Sequence, residues 1–302
     1  MKNIYALSVA LFLLSSCNTN SSLKNEKEPV INSEKEGMVD KNEKPKAPEY
    51  PIIVIHGGAG SINKESMANG LEGQYKNALD SAITIGSEIL SGGGSSVSAV
   101  EKTTSFLEDH PLFNAGKGAV LTAEGNAELD ASIMDGSNLM AGAVAGVTTV
   151  KNPISLARMV KDSTKHVLLS REGAENFAVK MKVEPIEPEY FITPKTREKR
   201  ETRINRLDKM GTVGCVAIDL NGNIAAGTST GGMDNKMYGR IGDSPIIGAG
   251  TYAENATCGV SCTGHGEYFI KNAVAYDMSA LIKYQSKTSK EAADLIINKK
   301  LV

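Results

Sequence analysis

The chain has 302 residues, enough to bury a sizeable core as one large domain or two small ones, which excludes a miniature fold held together by disulfides. Lys and Arg total 33 against 35 Asp and Glu, a formal net charge of −2 that leaves no electrostatic footprint for nucleic acid. Thirty glycines, no tryptophan and a 41% hydrophobic share describe a globular chain with many tight backbone turns, neither disordered nor fibrous. The four cysteines fit no paired zinc spacing, and the nearest two, Cys258 and Cys262, read as small strand residues.

The amino terminus stands apart. Lys2 opens a positive segment, and Ala6 to Leu14 is an apolar run of signal-peptide length, too short for a stable membrane span. Leu14-Ser15-Ser16-Cys17 resembles a bacterial lipobox, in which the signal (1–16) is cut before a cysteine that carries a lipid; an ordinary signal peptide with an incidental cysteine is the alternative. From Asn18 to Tyr50, 13 of 33 residues are charged and few are apolar, so residues 17–50 are expected to be a disordered tether. This predicts a protein of the bacterial envelope, periplasmic or at the outer membrane, joined to the membrane by its lipid alone.

The folded part is expected to open at Pro51 and to run to Val302 as a single domain. Ile52-Ile53-Val54-Ile55 reads as a buried strand ending in His56-Gly57-Gly58-Ala59-Gly60, where the backbone needs close approach. Tyr75, Ala78, Leu79, Ala82, Ile83 and Ile89 recur at helical spacing, and Gly92-Gly93-Gly94 stops that helix. Ser95 or Ser96 can cap the next, whose inward face is Val97, Val100, Thr104 and Leu107. Ala141 to Val147 and the runs after Thr212 and Ala256 read as strands, Phe269 to Tyr284 and Lys290 to Asn298 as helices. Such irregular mixing of α and β disfavours a doubly wound sheet. Neither glycine-rich candidate is a nucleotide motif: Gly116-Lys117-Gly118 lacks the Ser or Thr and the earlier Gly of a P-loop, and Gly239-Arg240-Ile241-Gly242 lacks the strand and acidic partner of a dinucleotide fingerprint.

Ten of the 15 residues from Lys195 to Lys209 are charged, which reads as an exposed, mobile loop. Gly211 to Asp219, Asn221-Gly222 and Asn223 to Thr230 then read as strand, turn, strand. A two-residue loop would pair positions whose numbers sum to 443, setting Thr212 opposite Gly231 and Thr230 on the other sheet face; a three-residue loop or bulge would pair Thr230 with Gly214 and put both threonines on one face. Either register brings Thr230 close to Thr212.

Seven stretches now stand in a fixed order: His56-Gly57-Gly58-Ala59-Gly60, Pro111 to Gly116, Glu128 to Gly136, Gly211-Thr212-Val213-Gly214, Thr228 to Gly232, Gly239 to Pro245, and Ser261 to Glu267. Together they resemble the plant-type L-asparaginases and isoaspartyl peptidases, amino-terminal-nucleophile hydrolases that cleave themselves to expose a catalytic threonine. The resemblance covers nearly all of Pro51 to Val302. It implies an α/β (α+β) fold, a four-layer αββα sandwich, and cleavage of Gly211-Thr212 into an α part (51–211) and a β part (212–302). The implied activity is hydrolysis of the side-chain amide of L-asparagine and of β-aspartyl dipeptides through an ester on Thr212.

The chemistry follows from the residues. An amino-terminal threonine supplies its own base, because an α-amine of pKa about 7.7 to 8.0 accepts the hydroxyl proton near neutral pH. Gly211 offers no Cβ to block attack on its carbonyl. Arg240 presents a planar fork for a substrate α-carboxylate, and Asp243 an acceptor for an α-ammonium, although a surface ion pair is the plainer fate of that spacing. The resemblance assigns Thr263 and Gly264 to the oxyanion, Gly266 to the same turn, Thr230 to a hydrogen bond at the nucleophile, and Asn114 to the pocket wall. It also implies a structural Na+ or K+ held by backbone carbonyls of Leu107, Glu108, His110, Phe113, Ala115 and Lys117, with no cofactor for catalysis, and an (αβ)2 homodimer. His56, His110, His166 and His265 are scattered, so a histidine metal centre or a Ser-His-Asp triad finds no support and each is expected to be a satisfied or exposed side chain. In the resembling family the helix ending near Leu301 is followed by further strands, so the chain looks shortened by some tens of residues. Two other readings are a glycosylasparaginase and an inert envelope lipoprotein.

Overall fold

The computed structural model describes residues 48–60, 67, 70–202 and 211–301. The expected signal segment, Cys17 and the tether up to residue 47 lie outside the described residues. The first strand, β1 (Ile52–His56), is followed by two antiparallel helices, α1 (Leu71–Ser91) and α2 (Ser96–Asp109). Of the two candidate caps for α2, Ser95 is the one used: its hydroxyl accepts the Ser98 N–H at 3.2 Å. Val97, Val100, Thr104 and Leu107 are buried as the spacing predicts. β1 departs from expectation. It is an edge strand, and Ile52 and Val54 are 47% and 62% exposed while Ile53 and Ile55 pack inward.

Next come β2 (Leu129–Asp135), β3 (Ala141–Val147), α3 (Pro153–Ser163), β4 (Leu168–Ser170) and α4 (Arg171–Lys180). The stretch read as a mobile loop is helical in its first half: α5 spans Pro194–Thr202. Proline suits a first helical turn, the Thr193 hydroxyl accepts the Thr196 N–H at 3.1 Å, and Lys, Arg and Glu are good helix formers. Residues 203–210 are not described. The hairpin follows as β5 (Val213–Ile218) and β6 (Ile224–Thr230), then β7 (Thr251–Ala253) and β8 (Gly259–Ser261). The helix expected over Phe269–Tyr284 is two, α6 (Gly266–Asn272) and α7 (Val274–Gln285), divided by Ala273 at φ +46°. α8 (Ser289–Leu295) opens on Thr288 with a complete capping box to Glu291.

β1, β5, β6, β2, β3 and β4 form one sheet in that order, antiparallel except for the β3–β4 pair. Period-two alternation gives it two faces. Ala131, Ile133, Cys215, Ala217 and Ala225 pack with residues of α1 to α4, while Met134, Ile224 and Ala226 meet Ala253 of the β7–β8 pair. Beyond that pair, Cys262 and Val260 join Val274, Ala275, Leu281, Ala292 and Ile296. The layers therefore run helix, sheet, sheet, helix, with two strands in the second sheet.

The hairpin register differs from both expected pairings. Val213 pairs with Ser229, Gly214 with Thr228 and Ile218 with Ile224. The loop is three residues long because Asp219 closes it: its main-chain N–H donates to Asn223 O, and its Oδ1 accepts the N–H groups of Asn221 and Asn223, each at 3.0 Å. Gly222 takes the left-handed conformation, φ +77°, that such a loop needs. Extending this register sets Thr212 opposite Thr230, so the two hydroxyls share a sheet face as the three-residue loop predicted, with Thr228 rather than Thr230 opposite Gly214.

Candidate active site

Thr212 immediately precedes β5. The Thr212 Oγ1 donates to Gly211 O at 2.8 Å and lies 3.2 Å from Thr230 Oγ1. Two further donors reach the same carbonyl oxygen, Thr230 Oγ1 and Asn114 Nδ2, both at 2.8 Å. Asn114 is held by its own bonds: Nδ2 also donates to Gly232 O at 2.8 Å, and Oδ1 accepts Val120 N–H at 2.8 Å. The Gly211 carbonyl thus sits among three donors, one of them the Thr212 hydroxyl. From behind, Gly58 presses against the same peptide. At φ +110° it needs no side chain, and a Cβ there would stand 2.8 Å from Thr212 N.

A small open cleft joins Thr212 and Thr230 to Gly232, Arg240, Asp243 and Gly264. Arg240 does not pair with Asp243. Its Nε and Nη2 both lie 2.9 Å from Glu267 Oε1, which leaves its outer edge, Nη1, toward Gly232 and Gly242. Spacing alone does not mark Glu267 for this role, for it lies 27 residues beyond its partner. Burial works against the charge of Glu267, yet a backbone N–H and Arg240 hold its carboxyl below the ordinary range. Asp243 is 6% exposed and its Oδ2 has no hydrogen-bond partner among the described residues. Burial pushes its carboxyl up to about 6, against the pull of its own backbone N–H and of Arg240. A buried carboxylate oxygen without a donor, at the edge of a cleft, fits an incoming ammonium group. Gly266 is the hinge of this pair: a Cβ there would stand 2.7 Å from Asp243 Oδ1 and 2.8 Å from Arg240 Nη2.

Thr263 lies beside the cleft, and its Oγ1 accepts the Ala59 N–H at 2.9 Å, leaving its own hydrogen free to donate. Behind the cleft Lys236 is buried and donates to Glu128 O at 2.9 Å; burial lowers its pKa, which Asp130 and Glu128 partly restore. Asp130, opposite Thr230 on β2, is buried with its carboxyl raised by desolvation.

The loop expected to hold an alkali ion closes on itself. Leu107 O accepts His110 N–H, His110 O accepts Phe113 N–H, and Glu108 O accepts Lys117 N–H at 2.7 Å. Pro111 O and Phe113 O converge on Gly118, where a Cβ would lie 2.5 and 2.9 Å from them. Neutral carbonyl oxygens are the kind of ligand a hard monovalent cation takes, and of those in this loop Pro111 O and Phe113 O lie close together. The Glu108 side chain is directed elsewhere: Oε1 accepts Ile154 N–H at 2.9 Å and Ser229 Oγ–H at 2.6 Å.

Comparison with known proteins gives one answer throughout. The profile of the family described as Asparaginase matches residues 49–302. The isoaspartyl peptidase of Escherichia coli K12 is 46% identical over 264 residues, covering 83% of this chain and 82% of its own length. The human isoaspartyl peptidase/L-asparaginase is 47% identical over 254 residues (81% and 80%), and a probable isoaspartyl peptidase/L-asparaginase 2 of Arabidopsis thaliana 43% over 281 residues (82% and 86%). These findings correct the expected lipid-anchored envelope location. Bacterial, human and plant relatives share the domain under names that denote the hydrolase alone. The inert lipoprotein loses its support with them, and none of the three relatives carries the name of a glycosylasparaginase.

Proposed function

From the chain's membership of the asparaginase family, we infer that it is a hydrolase acting on the side-chain amide of L-asparagine and on isoaspartyl dipeptides. The observation that carries the residue assignment is the triple hydrogen bonding of the Gly211 carbonyl beside the Thr212 hydroxyl. In the first step Thr212 Oγ attacks the Gly211 carbonyl carbon, and the negative oxygen that forms is held by Asn114 and Thr230. Collapse breaks the Gly211–Thr212 C–N bond: the departing Thr212 nitrogen takes up the proton that the hydroxyl gave up, and a Gly211 ester remains on Thr212. Water hydrolyses that ester, releasing a Gly211 carboxylate and freeing both the hydroxyl and the α-amine of Thr212. The chain then consists of the parts 51–211 and 212–302 of one domain.

In turnover the α-amine takes the hydroxyl proton as Oγ attacks the substrate's side-chain carbonyl. Gly264 N–H and Thr263 Oγ–H face the developing oxyanion, Arg240 holds the α-carboxylate, and Asp243 holds the α-ammonium. The protonated amine returns its proton to the leaving nitrogen, and ammonia or the freed amino acid departs. Water attacks the β-aspartyl ester and aspartate leaves. An alkali ion bound by the carbonyls of Leu107, Glu108, His110, Phe113, Ala115 and Lys117 would stiffen the loop that carries Asn114. The resemblance also supports a dimer of processed chains, which sedimentation equilibrium tests. For the function itself the test is aspartate release from L-asparagine and from a β-aspartyl dipeptide by purified protein. Activity on at least one is expected, and none on either would overturn the reading.

A further inference from the structure

A row of hydroxyl groups crosses the molecule between its two sheets, directly behind the nucleophile. His56, Gly214, Thr228 and Ser132 stand side by side on β1, β5, β6 and β2, all on the face that meets the second sheet. The adjoining row on that face holds Thr212, Thr230 and Asp130. Ser261 of β8 and Thr251 of β7 close over the first row and join its members into one chain of hydrogen bonds. The single hydrogen of Ser132 Oγ lies between two acceptors, Ser244 O at 2.6 Å and Thr251 Oγ1 at 2.8 Å. Thr251 donates to Thr228 at 2.6 Å, Thr228 and Ser261 stand 2.7 Å apart, and Ser261 Oγ is 2.9 Å from His56 Nε2.

Ser132, Thr228 and Thr251 are fully buried, in a layer that apolar side chains would fill without desolvating a hydroxyl. Gly214 gives the row its passage: a Cβ there would stand 1.9 Å from Ser261 Oγ and 2.2 Å from His56 Nε2. Each hydroxyl has a single hydrogen. Thr251 spends its own on Thr228, so Thr228 passes its hydrogen along the shorter of its remaining contacts to Ser261, and Ser261 donates to His56 Nε2. Its alternative, Gly250 O, is 3.3 Å away. That direction puts the ring proton of neutral His56 on Nδ1, which is buried and makes no hydrogen bond among the described residues; His56 pairs with Gly214, two residues beyond Thr212, whose main chain borders the ring. Burial keeps the ring neutral, with a pKa near 4. The far end of the row is the carbonyl of Ser244, the residue after Asp243.

We propose that this hydroxyl row is a positioning device for the reaction, fixing the tautomer and angle of His56 against the main chain of Thr212 and tying Thr212 to the Asp243–Ser244 segment. His56 and the four hydroxyl residues act through Thr212 and Asp243 and touch no substrate. The proposal rests on Thr212 as nucleophile and adds what keeps it at a constant spacing from the substrate's ammonium site.

The test uses Thr228→Val, which keeps the shape and removes the hydroxyl, and Thr228→Ser, which restores it. Loss of one buried hydrogen bond in the row predicts kcat with L-asparagine lower by about 3- to 12-fold in the valine variant, with KM within about twofold and the serine variant near the parent. The separate readout is the 15N spectrum of the imidazoles in histidine-labelled protein, with His56 assigned by its loss in His56→Asn. The parent should show Nδ1–H, and Thr228→Val should shift that tautomer. A folded valine variant with parental kcat and an unchanged His56 signal would overturn the proposal. Should Thr228→Val not fold, Ser261→Ala removes the link nearest the ring and is read the same way. A parent that hydrolyses neither substrate would refute the function, whereas the imidazole spectrum tests the row whatever the activity.

Discussion

Gly266→Ala puts the substrate-recognition geometry under direct strain. Gly266 opens α6 between Arg240 and Asp243, and the added methyl carbon would stand 2.7 Å from Asp243 Oδ1, 2.8 Å from Arg240 Nη2 and 3.1 Å from Asp243 N. Carbon to oxygen or nitrogen contact is comfortable only near 3.5 Å, so one or both charged groups must move by roughly 0.7 Å or more. Neither can retreat freely, for Arg240 is tied to Glu267 and Asp243 is buried. Loss of one charge-assisted bond to substrate, about 1.5 to 3 kcal/mol, corresponds to a fall of roughly 10- to 150-fold in kcat/KM. The same overpacking should cost folding about 1 to 3 kcal/mol, so the thermal melt serves to show that the variant is folded at the assay temperature. Self-cleavage should survive, since it needs no substrate. The assay pairs kcat/KM for L-asparagine and a β-aspartyl dipeptide with a thermal melt and a denaturing gel. A variant that is folded, cleaves like the parent and keeps its kcat/KM would show that Arg240 and Asp243 do not bind substrate.

Asn114→Ala removes one of the donors on the Gly211 carbonyl and should slow self-cleavage by about 100- to 1,000-fold, followed on a denaturing gel over time. Arg240→Lys keeps the charge and loses the fork, so kcat/KM should fall roughly 10- to 150-fold while cleavage proceeds. Burial raises the carboxyl of Glu108 to about 8, against the bonds from Ser229 and Ile154 that favour its charge. Between the ordinary value of 4.5 and about 8 the folded chain holds a proton that the unfolded chain has lost. Stability is therefore greatest below the ordinary value, falls as pH rises and levels off above about pH 8. Glu108→Gln should flatten the slope of Tm against pH across that window, and an equal slope in both proteins would refute the assignment.

Much of this architecture is legible in the chain because it is written in local signals. The glycine stop after α1, the Ser95 cap and the period of α2 each act within a few residues. Order among the seven motifs points to Thr212, Thr230, Arg240, Asp243 and Asn114, which the fold brings to one carbonyl and one cleft. The hairpin register is not local in this way. It turns on Asp219, whose carboxylate adds a third residue to the loop by binding two main-chain N–H groups, a choice that strand pattern does not report. β1 reads as buried from its β-branched run, yet edge position depends on which strands pair, and the run is the same either way. α5 is a helix of charged residues whose stability comes from its cap and intrinsic propensity rather than an apolar face, so hydrophobic period misses it. Glu267 and the hydroxyl row escape notice for a further reason. Glu267 matters only through contact with Arg240, and Ser132, Thr228, Thr251 and Ser261 look like ordinary β-formers until two sheets close over them.

Release from Gly211 is what makes Thr212 a nucleophile in the proposed reaction. Intact mass and amino-terminal sequencing of the purified 302-residue chain, run beside Thr212→Ala, test this most directly. A fragment that begins at Thr212 is expected in the parent, and a single uncut, inactive chain in the variant. A parent that hydrolyses L-asparagine with its Gly211–Thr212 bond intact, or a variant cut at the same bond, would contradict it.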